Sequence, residues 1–162
     1  MMPDVGRRHV QLSRCTNVDE DTGMTLQIRA FRDGDRAEVV ELWAEAFPDE
    51  PGHNASSDMI DRKLRVQPEL FLVAIVDGRV VGTAMAGFDG VRGWLHRLAV
   101  RVSARRRGIG AQLVRSVEDG LAALGCPKVN LQVRAENTSV VAFYRAIGYA
   151  IEGRVSMGKH LG

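Results

Sequence analysis

Leu98-Ala99-Val100-Arg101-Val102-Ser103-Ala104-Arg105-Arg106-Arg107-Gly108-Ile109-Gly110-Ala111-Gln112-Leu113 changes character twice within one stretch. An apolar strand pattern ends near Val100, and a helical pattern begins near Gly108. A short basic loop closing in Gly-x-Gly lies between them. The first turn of a helix leaves backbone N–H groups without intrahelical partners, and the helix dipole puts partial positive charge there. Glycines let a bulky anion approach that backbone, while Arg105, Arg106 and Arg107 add formal charge. The junction reads as a site for phosphate groups.

Spacing narrows the kind of site. A Walker loop needs Gly-Lys-Ser/Thr at the helix start, and Gly110-Ala111-Gln112 does not supply it. A dinucleotide fingerprint needs a third glycine where Leu113 stands. What remains is Arg-x-x-Gly-x-Gly, carried by Arg105, Gly108 and Gly110.

Upstream, Leu26 to Phe31 alternates as a strand. Asp33-Gly34-Asp35 offers caps for a helix over Arg36 to Phe47, with Val39, Leu42, Trp43, Ala46 and Phe47 on one face and Pro48 as its stop. Pro48 to Ser57 reads as a loop and Asp58 to Val66 as a second helix. Leu70 to Val76, the Asp77-Gly78 turn and Val80 to Phe88 form a hairpin. After Asp89-Gly90, Gly93 to Val100 is the strand that feeds the basic loop. Downstream, Ile109, Leu113, Val114, Val117, Leu121 and Leu124 stripe a helix that ends at Gly125. Val129 to Val133 reads as a strand, Asn137 to Ile147 as a capped helix stopped by Gly148, and Tyr149 to Val155 as a last strand. The order β-α-α-β-β-β-α-β-α-β predicts an α/β (α+β) fold with a mixed, mostly antiparallel central sheet. Residues 1–23 are polar without clear period and read as a disordered leader, with Met24 as a candidate natural start; 24–162 read as one domain.

A second motif lies downstream: Asn137-Thr138-Ser139-Val140-Val141-Ala142-Phe143-Tyr144-Arg145-Ala146-Ile147-Gly148-Tyr149. With Leu98-Ala99-Val100 and Arg-x-x-Gly-x-Gly ahead of it, the chain resembles the GNAT (GCN5-related N-acetyltransferase) family from Leu26 to about Arg154. The hairpin text and Gly125-Cys126-Pro127-Lys128 look similar to the small bacterial acetyltransferases of the YpeA kind. The resemblance implies acetyl-CoA as cosubstrate, lying in a gap where the fourth and fifth strands (93–100 and 129–133) splay. Its pantetheine arm would pair with backbone at Leu98, Ala99 and Val100 like an added strand. Its pyrophosphate would meet the amides of Arg105, Arg106, Arg107, Gly108, Ile109, Gly110 and Ala111. Asn137 resembles the family residue that contacts the cofactor arm, and it is equally good as a helix cap.

The implied chemistry is direct attack of a primary amine on the thioester in a ternary complex, with a backbone N–H near Val100 polarising the carbonyl. Tyr144 matches the family tyrosine that protonates the departing thiolate, and it also touches the cofactor. The base is open. Where some relatives carry Glu, this chain has Gln132. His96 is one candidate, placed by alternation on the face of Leu98 and Val100. Glu136 and Glu45 are others, and water can relay the proton instead. Trp43, Phe47, His53 and Asn54 are candidates to line the acceptor site. A non-catalytic acyl-CoA-binding module is the alternative reading.

Composition excludes other classes. A net charge of +2 over 162 residues, without an aromatic platform beside Arg105 to Arg107, argues against nucleic acid. No apolar run reaches membrane-spanning length. Cys15 and Cys126 have no metal-ligand spacing, so no metal is expected and a reducing, cytoplasmic setting fits. The expected partners are acetyl-CoA and an amine acceptor, small molecule or peptide, in a monomer or homodimer.

Overall fold

The structure is a computed structural model that describes residues 15–19, 23–49 and 53–161. The side chains of His53 and Asn54, two of the four acceptor-site candidates, lie outside what is described, as does most of the expected leader. The elements are β1 (Cys15–Asp19), β2 (Met24–Ala30), α1 (Arg36–Ala46), α2 (His53–Leu64), β3 (Phe71–Val76), β4 (Arg79–Phe88), β5 (Gly93–Val100), α3 (Ile109–Ala123), β6 (Val129–Asn130) and α4 (Thr138–Ala146). They divide into two compact units, one ending at Leu131 and one beginning at Gln132.

In the first unit, six strands lie in the order β1-β2-β3-β4-β5-β6. The first five pair antiparallel and β6 runs parallel to β5. The mixed, mostly antiparallel sheet expected from the sequence is therefore present. The β3–β4 turn is the expected Asp77-Gly78, both residues at positive φ, +49° and +77°. One face of the sheet packs on α1 and α2 through Phe31, Val39, Leu42, Trp43, Ile60, Phe71, Val73, Val80, Met85 and Ala99. Phe71 stacks between Phe31 and Trp43, with centroids 4.5 and 5.8 Å away. Each such apolar side chain contributes about 1.5–3 kcal/mol on full burial. The other face carries α3, whose Ile109, Leu113, Val114, Val117 and Leu121 are all buried. At the start of β5 that packing is tight. A Cβ on Gly93 would stand 2.8 Å from Cys126 Sγ and 2.9 Å from Leu121 Cδ1, so only glycine fits there.

The structure corrects four boundaries. Cys15–Asp19, within the expected leader, is a strand that extends the sheet beside β2. α2 starts at His53, so the expected loop to Ser57 is shorter than its composition suggests. β6 covers only Val129 and Asn130 of the expected Val129 to Val133. The expected last strand, Tyr149 to Val155, does not form, and 149–161 has no regular secondary structure. A strand requires a ladder partner as well as an apolar alternation, and six strands end the described sheet at β6.

Entry into α1 is fixed electrostatically. Asp35 takes both prongs of the Arg29 guanidinium, at 2.7 and 2.9 Å, and the Arg32 amide at 2.8 Å. Burial alone would push the carboxyl up, but Arg29 and the Arg32 amide outweigh it and hold its pKa below the ordinary value. We expect Asp35→Ala to lower stability by about 2 kcal/mol in urea unfolding near neutral pH. A depressed carboxylate contributes above its unfolded pKa and loses that contribution as pH falls through its folded value. The gap between wild type and variant therefore closes in acid; a gap that persists there would contradict the assignment.

Candidate functional site

The centre of the site is a fault in β5. Gly82 and Thr83 of β4 face Val100 and Ala99, but Met85 faces His96. Two residues of β5, Arg97 and Leu98, thus stand opposite the single Ala84, a β-bulge. Arg97 adopts φ +52°, a left-handed conformation that costs a non-glycine residue about 1–2 kcal/mol. The bulge overturns the alternation argument for His96. His96 shares the α1-facing side with Met85, Thr83 and Ala99, whereas Val100 pairs with Gly82 on the side of α3. On its other edge β5 is paired with β6 only at Gly93 and Trp94. From Leu95 onward that edge has no ladder partner among the described residues.

The basic loop follows at once. Val102–Ala104 makes a single 3-10 turn, and Arg105 folds back to donate from Nε to Val100 O at 3.1 Å. Arg106 has φ +61° and Gly108 φ +73°, so two left-handed residues turn the backbone into α3. The first helical bond runs from Gln112 N to Gly108 O at 3.0 Å. The amides of Ile109, Gly110 and Ala111 therefore precede any intrahelical acceptor, and no side chain caps the helix at Gly108. Arg105, Arg106 and Arg107 are exposed beside them. The backbone donors and the charge read from the sequence are brought together here. Glu45 braces the loop: its Oε1 accepts from Val102 N at 2.9 Å, and Oε2 lies 3.5 Å from Arg101 Nη1. Glu45 thus anchors the loop.

The α1-facing side of the β4–β5 pair carries a cationic group. The Arg97 guanidinium lies over the rings of Trp43 and Phe47, 5.2 and 4.8 Å from their centroids. Lys63 Nζ donates to the carbonyls of Val66 and Ala86. Burial pushes its pKa down to about 8, against the opposing charge of Glu69. The exposed His96 has its pKa lowered as well, first by desolvation against its neighbours and then by the positive charges of Lys63 and Arg97. Near neutral pH its imidazole is therefore unprotonated, the form a base needs. Phe47 is half-buried at the rim. Trp43 is 1% exposed and belongs to the core, which corrects its placement in an acceptor wall.

The second unit holds the other motif. Asn137 caps α4, its Oδ1 accepting from Val140 N at 3.4 Å and from Ser139 Oγ at 3.2 Å. The Tyr144 ring meets Phe143 and Tyr149 edge-on at 5.1 and 5.4 Å, and burial pushes its pKa up to about 12. It stays a phenol across the neutral range. Glu136 is exposed in the turn before α4. Gln132 Nε2 donates to Ser156 Oγ at 2.6 Å. Sequence alone did not reveal the bulge, Lys63 or Thr83. The adjacent polar pair His96-Arg97 inside an apolar strand was the available signal, because a regular half-buried strand does not place two such residues in succession.

Among the described residues, no group of three or more His, Cys, Asp or Glu is placed to hold a metal ion. No helix there is long and apolar enough to cross a membrane. Comparison with known proteins gives a consistent result. A model of the acetyltransferase (GNAT) family matches residues 36–149. Acetyltransferase YE1169 of Yersinia enterocolitica is 40% identical over 136 residues, covering 84% of this chain and 96% of that protein. Acetyltransferase SG1711 of Sodalis glossinidius is 42% identical over 137 residues with the same coverage. Among solved structures, the aminoglycoside N-acetyltransferase AAC(6')-Iy in complex with CoA has the same fold, with a TM-score of 0.74 at 22% identity over 85% of this chain and 96% of that one. Ard1 from Thermoplasma volcanium gives 0.69 at 26% identity over 79% and 84%.

The charges around His96 make a prediction. A cationic neighbour disfavours the imidazolium, so Lys63→Met raises the His96 pKa. An NMR titration of the His96 ring should show a wild-type midpoint below the ordinary histidine value and a higher midpoint in the variant. Equal midpoints would remove Lys63 from the site.

Proposed function

We propose that this chain, which belongs to the acetyltransferase (GNAT) family and transfers an acetyl group from acetyl-CoA to an amine acceptor, does so by direct attack at the β5 bulge within a ternary complex. The observation that carries the reading is the coincidence of two features on one continuous stretch. The edge of β5 loses its ladder partner after Trp94, and the uncapped start of α3 follows a few residues later. The open edge suits an extended amide-bearing chain such as the pantetheine arm, which Leu98, Ala99 and Val100 would bind through their backbone. The amides of Ile109, Gly110 and Ala111, with those of Arg105 to Gly108, suit a diphosphate. Gly108 at φ +73° gives that anion access without a side chain.

Acetyl-CoA supplies an acyl thioester, and the rest of the chemistry belongs to the chain. A bulge amide polarises the carbonyl, the term that usually dominates acyl transfer. His96, exposed on the strand and held toward its neutral form by local desolvation and the charges of Lys63 and Arg97, takes the proton that the amine releases as its C–N bond forms. By the family resemblance, Tyr144 of the second motif is assigned the proton that the sulfur takes as the C–S bond breaks, and Asn137 of the same motif the contact with the cofactor arm. Phe47, half-buried at the rim, lines the acceptor's approach. Glu136, exposed ahead of α4, is the second base candidate, and His96 is favoured over it by its place one residue before the bulge.

In an assay of CoA release with the best amine from a panel, Tyr144→Phe should lower kcat by about 10²-fold, the usual weight of a positioned acid, and leave CoA affinity by calorimetry unchanged. An unaltered kcat would remove Tyr144 as the acid.

A further inference from the structure

We propose that the Thr83 hydroxyl, backed by the Trp43 indole N–H, is a positioning group for acyl transfer: it sets the direction of the Leu98 backbone N–H at the β5 bulge. Thr83 is fully buried and Trp43 nearly so, at 0% and 1% exposure. Trp43 Nε1 donates to Thr83 Oγ1 at 2.9 Å, and Thr83 Oγ1 donates its one proton to Arg97 O, also at 2.9 Å. The chain of bonds therefore ends on the carbonyl of the left-handed residue of the bulge.

A trans peptide is planar, and its C=O and N–H point in opposite directions. Thr83 stands on β4, so its bond draws Arg97 O toward β4. The N–H of the same peptide, that of Leu98, is then turned away from β4, toward the edge of β5 that has no ladder partner beyond Trp94 among the described residues. The bond also holds Arg97 in a conformation that an unsupported residue would leave for the extended region. The stacking of its guanidinium on Trp43 and Phe47 fixes the side chain of the same residue from α1. Trp43 thus serves Arg97 at both ends, its ring beneath the guanidinium and its N–H behind the carbonyl's donor.

The proposal rests on the reading that the thioester lies at the β5 bulge, and one experiment separates the two. The probe is acetyl-CoA labelled with ¹³C at the thioester carbonyl, observed bound to the full chain by isotope-edited infrared difference spectroscopy. Wild type should shift the carbonyl band to lower frequency than in free acetyl-CoA. Thr83→Val should lose most of that shift and lower the rate of CoA release about tenfold or more. Thr83→Ser should keep the shift, and CoA affinity should be the same in all three. Trp43→Phe, which keeps a ring and deletes the N–H, should lose part of the shift and provides the test if Thr83→Val does not fold. A wild-type band unshifted from free acetyl-CoA would overturn the placement of the thioester. A full shift in Thr83→Val, or in Trp43→Phe if Thr83→Val does not fold, would overturn the role of the network alone.

Discussion

Among the described residues, β5 beyond Trp94 has a ladder partner on one side only. Most edge strands are blunted by charge, proline or a covering element, because an open row of amides and carbonyls invites pairing. Here the open row lies in the middle of the fold's sequence order and leads into a loop that ends on unpaired amides. The whole unit follows from keeping that row open and correctly aimed. The short β6 pairs with the beginning of β5, at Gly93 and Trp94, and then ends.

Holding an open strand still requires support from behind. The aromatic stack of Phe31, Phe71 and Trp43 sets the sheet against α1. From α1, Glu45 reaches the loop at Val102 while Arg101 bonds the carbonyls of Val80 and Glu38. On the opposite face, α3 packs against the sheet, tightly enough at Gly93 to require glycine. The loop between β5 and α3 is thus braced at its start by Glu45 and Arg101, which holds the amides at the start of α3 close to the end of the strand. Preorganisation of this kind is what makes backbone donors effective, since they need not reorient as charge develops.

Much of this was legible in the chain itself. Asp77-Gly78 specified its turn, the stripe from Ile109 to Leu121 specified α3, and Arg105, Gly108 and Gly110 specified the loop, because each signal is local. What was not legible depends on partners distant in sequence. Cys15–Asp19 is a strand because β2 accepts it, and Tyr149 to Val155 is not, despite a better pattern. The bulge at Arg97 and Leu98 is a register property of β4 and β5 together, and it reverses the face that strict alternation assigns to Val100 relative to His96. Trp43 in α1 and Phe47 just past its end lie four residues apart and look equivalent in sequence. Only the depth of the core separates a buried anchor from a residue at the rim.

The most direct measurement of the central claim is hydrogen–deuterium exchange of the full chain with and without CoA. The account predicts slowed exchange at the amides of residues 98–100 and 106–111, and little change along β2 and β3. Protection confined to other elements, or none at all under saturating CoA, would contradict it.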